Sequence, residues 1–299
     1  MRTMNSKVQS LKAFLGQAGR VALVEVAATK GSTPREAGAF MLVSTSAIFG
    51  TIGGGQLEYM AIDKARQMLG RGTRSSANEA RIEVDEVCAT LDVPLGPEIG
   101  QCCGGRVEVS IRLVDGTIEE KLIADAKSEE AHLPHVYLFG GGHVGQALAA
   151  SLALLPVHVV VVETRSEALE AMPETVQTRL TPMPEAVVRE APPGSAFAIL
   201  THDHALDFLI VAEALKRGDT AYVGMIGSKT KKATFRNWFL KSAEGSEAQL
   251  DRLISPIGGS IVKDKRPPVI AALAAAEIMT ALVSRASDAP AGAEKAMAG

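Results

Sequence analysis

A glycine-rich segment directly after an apolar run constrains the fold of this chain more than any other feature. Gly140, Gly142 and Gly145 form the pattern G-x-G-x-x-G after the run His135–Phe139, and a helical pattern begins after them. Glycine lets the backbone turn tightly and approach a phosphate, while the amino terminus of a helix presents unpaired N–H groups. The segment therefore predicts a strand, a tight turn and a helix that together bind a nucleotide-like anion.

An acidic residue is expected about 20 positions after such a motif, where its carboxylate binds ribose hydroxyls. Glu163 fits this position, because it ends the next apolar run. A purely structural interpretation stays open. In that case the glycines only permit a close crossing between strand and helix, and no ligand binds there.

Apolar runs and helical patterns alternate along the second half of the chain. The strand-like runs are residues 135–139, 158–163, 196–200 and 221–226. This alternation is typical of a parallel sheet covered by helices. We predict a Rossmann-like domain of about five parallel strands over residues 135–286, followed by a disordered Ala/Gly-rich tail at 287–299.

The first 115 residues predict a different, mixed α/β domain. Strand-like runs at residues 21–28, 39–44, 81–87 and 106–114 are separated by glycine-rich turns, and residues 56–70 have the apolar spacing of a helix. Residues 116–134 are rich in acidic side chains and precede the next apolar run. We therefore place the linker between the two domains at 116–134.

Two turns of the first domain are suited to anion binding. Residues 31–38 combine hydroxyl side chains with Arg35, and Gly53, Gly54 and Gly55 stand directly before the predicted helix. Free N–H groups at a helix start attract negative charge. Each turn also has a structural interpretation, as a capped turn or as a hinge.

A third turn, residues 100–105, contains the adjacent thiols Cys102 and Cys103 between glycines. A thiolate is a soft ligand and suits a soft metal–sulfur centre, although both cysteines could instead be small buried hydrophobes. Three cysteines in 299 residues argue against a disulfide framework and for reduced thiols. Because only Cys88 lies elsewhere, a four-thiolate zinc site is excluded.

Two polar segments follow strand-like runs of the second domain. Residues 201–207 resemble a metallo-hydrolase motif, but Asp207 is followed by Phe208 and not by histidine, so we expect a helix cap here rather than a metal site. Ser228 and Lys229 open a later helix that carries further cations. They predict a phosphate site, with a solvated basic helix face as the alternative.

Taken together, residues 31–38, 50–58, 95–105 and 140–145 resemble the characteristic stretches of the XdhC/CoxI family. The likeness continues at residues 200–204, 222–229 and 255–258 and so covers nearly the whole chain. The resemblance implies a chaperone and not a catalyst. Such a protein binds molybdenum cofactor in its molybdopterin form, protects it while the terminal sulfur is installed, and inserts it into xanthine dehydrogenase.

The resemblance also implies site residues and partners. Cys103 stands at the recurrent position before the glycine pair, so it is favoured over Cys102 for contact with the molybdenum–dithiolene end. Helix amino termini and lysines would bind the phosphate end, and a separate nucleotide is a further expected ligand of the Rossmann-like domain. The implied partners are apo-xanthine dehydrogenase and the cysteine desulfurase that sulfurates the cofactor, and a homodimer is expected.

Composition excludes several other functions. The formal net charge of −3 provides no basic field for nucleic acid or an anionic membrane, and no clean apolar run predicts a leader or a span. We therefore expect a cytoplasmic protein. The alternatives are an NAD(P)-dependent oxidoreductase, supported by the glycine motif and Glu163, and an adaptor that only recruits a sulfurtransferase.

Overall fold

The computed structural model of the protein describes residues 7–71, 88–95 and 104–288, and its contacts separate two units. One unit lies within Ser6–Glu130 and the other within Ala131–Gly299. Most of the segment that we assigned to a linker is a helix of the first unit, because its Leu122 and Ala126 are buried in that unit's core.

The amino-terminal unit combines an antiparallel sheet with helices. Its described elements are α1 (Lys7–Gln17), β1 (Ala22–Lys30), β2 (Phe40–Val43), β3 (Ile48–Gly50), α2 (Gly55–Arg71), β4 (Cys88–Pro94), β5 (Arg106–Leu113) and α3 (Gly116–Ala131). The strands pair in the order β3-β2-β1-β5-β4. The strand predicted at residues 81–87 lies outside the described residues.

Strand β1 begins with the apolar run Ala22–Val24 because both of its faces are covered there. Val24 packs in a cluster with Leu57 of α2, whereas Leu23 packs on the opposite face with Leu11 of α1 and Leu122 of α3. Successive side chains of a strand point to opposite faces, so a strand between two layers of helix needs a continuous apolar run. The first half of β1 and strand β2 are therefore the buried middle of this sheet.

The carboxy-terminal unit is built around a parallel sheet. Its described elements are β6 (His135–Phe139), α4 (His143–Leu152), β7 (His158–Glu163), a 3₁₀ turn (Ser166–Leu169), β8 (Gln177–Leu180), α5 (Pro184–Glu190), β9 (Ala196–Ile199), α6 (His204–Lys216), β10 (Tyr222–Met225), α7 (Lys229–Ser242), α8 (Glu247–Leu250), β11 (Leu253–Ile254) and α9 (Pro267–Asp288). The strand order is β11-β10-β9-β6-β7-β8, with every pair parallel.

The first strand of this unit, β6, lies in the middle of the sheet between β7 and β9. Chain connections leave it in opposite directions, which creates a crevice at the carboxyl ends of β6 and β9, where ligands of such sheets bind. Val136 and Leu138 pack towards α4 and α9, and Tyr137 and Phe139 pack towards the opposite helical layer. The α/β class predicted from the sequence is confirmed.

Helix α9 contains a 19-residue stretch, Pro267–Arg285, that is long and apolar enough to cross a membrane by length and composition alone. Within its unit, Ala271, Ala274 and Ile278 are fully buried and pack in the core that also contains residues of α4. The core helix of an α/β unit has the same apolar character. Packing within the unit therefore buries one face of α9, with 28% of its apolar stretch buried.

Candidate functional site

Three glycine turns of the amino-terminal unit, separated along the chain, meet in one turn cluster. A Cβ placed on Gly105 would lie 2.2 Å from the carbonyl oxygen of Ser32, and a Cβ placed on Gly53 would lie 2.8 Å from Cγ of Pro34. The turn at residues 31–38 thus packs against Gly105 on one side and against Gly53 on the other. The structure therefore brings together the segments that the sequence indicated separately.

Leu95 and the glycine pair Gly104 and Gly105, which flank the thiol segment in the sequence, are hydrogen-bonded to each other within this turn cluster. The N–H of Leu95 donates to the carbonyl oxygen of Gly105 at 2.7 Å, and the N–H of Gly104 donates to the carbonyl oxygen of Leu95 at 2.8 Å. Gly104 has a φ of +65°, which favours glycine. Cys102 and Cys103 lie outside the described residues, and Cys103 directly precedes Gly104 in the sequence.

The anion site expected at Gly53, Gly54 and Gly55 is partly filled by the protein itself. The carboxylate of Glu58 accepts from the N–H of Ile52 at 3.1 Å and from the N–H of Gly54 at 3.0 Å. Burial alone would raise the pKa of Glu58, but these bonds and a further one from Thr51 lower it. Because a negative group already occupies these donors, the exposed Arg35 is the better anion ligand in the turn cluster.

The glycine motif of the second unit has the geometry that the sequence predicts. Gly140 has a φ of +116°, and a Cβ on it would lie 2.6 Å from the carbonyl oxygen of Leu200. A Cβ on Gly145 would lie 2.0 Å from the carbonyl oxygen of Gly140, so this glycine permits close packing of α4 on the turn. Around Gly142, the N-cap of α4, the space is open. Open space before a helix start can accept an anion.

Glu163 lies beside this motif, but its carboxylate is already engaged. Its side chain is only 4% exposed and accepts from the N–H of Gly141 at 2.8 Å, from the N–H of Thr164 at 2.8 Å and from the guanidinium of Arg165. Burial alone would raise the pKa of Glu163, whereas these donors lower it to about 2. The acidic residue expected to bind ribose thus fixes the glycine turn, and its contact with a ribose stays a prediction.

We predict that the contribution of Glu163 to stability disappears in acid. Its folded pKa of about 2 lies below the ordinary value of 4.5, so the stabilisation is complete above pH 4.5 and is lost as the pH falls towards 2. At pH 7, Glu163→Gln should lower the free energy of unfolding by about 1.5–3 kcal/mol. Urea unfolding measured from pH 7 to pH 3 should show that the free energies of unfolding of the wild type and of Glu163→Gln converge as the pH falls. The exposed Glu174→Gln should match the wild type, and parallel pH profiles for wild type and Glu163→Gln would contradict the prediction.

The loops after β9 and β10 are joined by a buried ion pair. The ammonium of Lys231 on α7 donates to the carboxylate of Asp207 on α6 and to the carbonyl oxygen of Ile226 at 3.0 Å. Asp207 also accepts from the hydroxyl of Thr201 at 2.6 Å and from its N–H at 3.1 Å. Asp207 is fully buried and the Lys231 side chain is 6% exposed. This pair holds two loops at the carboxyl edge of the sheet.

The segment 201–207 caps a helix, as the sequence indicated. Asp203 is the N-cap of α6, and its carboxylate accepts from the N–H of Ala205 at 2.8 Å. His202 and His204 are exposed. Within residues 7–71, 88–95 and 104–288, no group of three or more His, Cys, Asp or Glu side chains is arranged to hold a metal ion.

The phosphate site expected at the start of α7 has fewer cations than the sequence suggested. Lys231 is buried against Asp207, and Arg236 pairs with Glu247, so two of the cations on α7 are compensated by acids. Ser228 is the N-cap of α7 and accepts from the N–H of Lys231 at 3.2 Å. Lys229 remains exposed at the helix start.

Comparison with known proteins connects both units to one family. The family model for the XdhC Rossmann domain matches residues 136–278, and the model for the XdhC and CoxI family matches residues 15–78. The chain belongs to the XdhC/CoxI family. The turn cluster and the glycine motif therefore lie in the two units that characterise an XdhC/CoxI protein.

Individual relatives extend the comparison along this XdhC/CoxI chain. The uncharacterized protein YqeB of Escherichia coli (strain K12) is 27% identical over 274 residues, which are 86% of this chain and 43% of YqeB, so the chain spans less than half of that relative. A crystal structure from Bacillus halodurans, described as a xanthine dehydrogenase, has a TM-score of 0.75 at 18% identity. It covers 95% of this chain and 98% of its own, and the likeness shows a shared fold.

Proposed function

We propose that this XdhC/CoxI protein binds molybdenum cofactor, protects it while its terminal sulfur is installed, and delivers it to an apo-enzyme of the xanthine dehydrogenase type. The observation that carries the proposal is the meeting of three turns in one family-typical unit, at the base of the loop that contains Cys103. The cofactor is cargo in this role, and the protein needs no catalytic group of its own.

The residues of the turn cluster suit the metal–dithiolene end of this cargo. A cysteine thiolate is a soft ligand for a metal–sulfur centre, and a nearby cation favours the thiolate over the thiol. Arg35 supplies a cation on the turn that packs against Gly53 and Gly105. Cys103 is therefore our proposed contact with the molybdenum end, with Cys102 as its neighbour.

The state of Glu163 supports a binding role over NAD(P)-dependent oxidation. A dinucleotide-binding enzyme uses the acidic residue after the second strand to bind ribose hydroxyls. Here both carboxylate oxygens accept hydrogen bonds from Gly141, Thr164 and Arg165. A ribose would have to displace these bonds to reach the carboxylate. This favours a ligand that does not need the carboxylate of Glu163.

A mixing assay tests the proposal. Protein loaded with molybdenum cofactor should activate apo-xanthine dehydrogenase and should not oxidise NADH with carbonyl substrates. A chaperone must bind the free cofactor well but less tightly than the apo-enzyme does, which sets the direction of transfer. Because the proposed role includes protection of the cofactor, we also expect transfer to need direct contact. A dialysis membrane that passes only the free cofactor should slow activation sharply. NADH turnover without cofactor transfer would instead favour the oxidoreductase, and recruitment of a sulfurtransferase without cofactor binding would favour the adaptor.

A further inference from the structure

The Rossmann-like unit contains a cavity of about 620 Å³ at the carboxyl edge of its sheet. Its walls come from the start of α4, the loop between β10 and α7, the loop between β11 and α9, and α9 itself. The apolar lining comprises Val144, Ile226, Pro256, Ile257, Val262, Ile270 and Leu273. A volume between about 300 and 1,000 Å³ with mainly apolar walls is characteristic of small-molecule sites.

Two carboxylates fix the loops on which this cavity is built. Glu277 of α9 accepts from the N–H of Gly258 at 2.9 Å and from the hydroxyl of Tyr222 at 2.8 Å. On the other side, Lys231 holds the carbonyl oxygen of Ile226 and is itself held by Asp207. Both walls therefore have fixed backbone positions before a ligand arrives, which reduces the entropic cost of binding.

The charge at the cavity favours an anion. Lys263 and Lys265 line it and are exposed, whereas the carboxylate of Asp264 between them accepts from the guanidinium of Arg266 at 2.6 Å and 2.9 Å. The loop thus presents two cations next to an acid that is already neutralised. Phosphate is the common anionic group that such lysines bind.

The cavity also lies on one particular side of the glycine motif. Val144 of α4 belongs to its wall, together with residues that follow β10 and β11, whereas Glu163 lies on the β7 side of the crevice. The β7 side is occupied by the bonds of Glu163 to Gly141, Thr164 and Arg165. A ligand of this unit would therefore bind on the β10 side, where space is open, because the carboxylate on the β7 side is already engaged.

We propose that this cavity binds a heterocycle that carries a phosphate, with the ring against Val144, Ile226 and Leu273 and the phosphate beside Lys263 and Lys265. Aromatic rings match apolar walls, and Gly227, Gly258 and Gly259 add no side chains to this part of the lining. Whether the natural ligand is a pterin or a nucleotide rests on the proposed function.

Calorimetric titration of the full chain tests this inference with neopterin monophosphate, neopterin, AMP and CMP. The wild type should bind the phosphorylated pterin or a nucleotide, and their relative affinities identify the source. The double variant Lys263→Glu/Lys265→Glu should bind the phosphorylated probes at least about tenfold more weakly than the wild type. One phosphate contact corresponds to roughly 1.4 kcal/mol of binding free energy. The same variant should change neopterin binding less than about twofold. Ser260→Trp, at an exposed lining position, should weaken all probes.

Control variants separate this cavity from other positions. Lys216→Glu, an exposed charge reversal on α6 that does not line the cavity, should bind like the wild type, and so should Glu163→Gln. Loss of binding in Glu163→Gln with unchanged binding in the lysine variant would overturn the inference. Absence of binding for all four probes would overturn it as well, even if cofactor transfer succeeded. Failure of transfer with intact probe binding would instead contradict the proposed function alone.

Discussion

Replacement of Lys231 by methionine is expected to lower the free energy of unfolding by about 3–5 kcal/mol, because Asp207 would stay buried without its cation. Methionine has a length similar to the lysine stem, so little packing is lost. The hydrogen bond to the carbonyl oxygen of Ile226 would also disappear. Urea unfolding at neutral pH measures the change through the transition midpoint at constant slope.

Two further variants show whether the lost charge or the changed packing causes the loss of stability in Lys231→Met. Lys229→Met removes an exposed lysine two positions earlier and should change the free energy of unfolding by less than about 0.5 kcal/mol. In the Lys231→Met/Asp207→Asn double variant, the buried charge is gone and more than half of the lost stability should return. A Lys231→Met protein as stable as the wild type would show that the pair does not hold the two loops.

The central elements of both sheets could be predicted from the sequence because their apolar patterns are set by burial on both faces. The predicted runs at residues 135–139 and 158–163 coincide with β6 and β7. By contrast, the edge strand β8 has mostly exposed side chains, and β11 has only two residues. Strand β8 lacks an apolar run because edge strands are covered less completely, and β11 is too short to give a pattern.

The helix α9 shows a different limit of sequence analysis. Its alanine-rich composition gives only a weak apolar periodicity, so its existence was not predicted. The helical pattern that follows β7 forms only a 3₁₀ turn, at Ser166–Leu169. The helix α9 and the 3₁₀ turn both depend on contacts with the sheet. Such contacts cannot be read from the local sequence pattern.

The candidate site shows the same distinction between local and long-range information. The glycine positions could be predicted, because a tight turn or a positive φ leaves a residue-type signal in the sequence. The engagement of Glu163 with Gly141, and of Lys231 with Asp207, could not, since these partners are 22 and 24 positions apart. Lys231 therefore looked like a free cation and Glu163 like a free ribose ligand, although both are buried in ion pairs.

Replacement of Cys103 by alanine is expected to weaken molybdenum cofactor binding by at least about 10–100-fold, which is the loss typical when even an outer-shell partner of a metal centre is removed. The fold should persist, because the loop base is held by backbone bonds of Leu95 with Gly104 and Gly105 that an alanine leaves intact. Binding is measured by titrating the protein with isolated cofactor and quantifying the retained pterin by fluorescence after oxidation. An unchanged unfolding midpoint of Cys103→Ala would show that the weaker cofactor binding comes from the binding site and not from a loss of fold stability.

The other two cysteines make this test specific. Cys88 is an exposed thiol on β4 of the same unit, so Cys88→Ala controls for the general loss of a thiol and should bind cofactor like the wild type. Cys102→Ala should have an intermediate or small effect, because adjacent side chains need not face the same ligand. Equal affinity of Cys103→Ala and wild type would remove the thiol from the site and leave Arg35 and the glycine turns as the binding groups. Loss of binding in Cys103→Ala, with both controls intact, would assign the molybdenum end of the cofactor to the turn cluster, since no other thiol of this chain could supply the soft ligand.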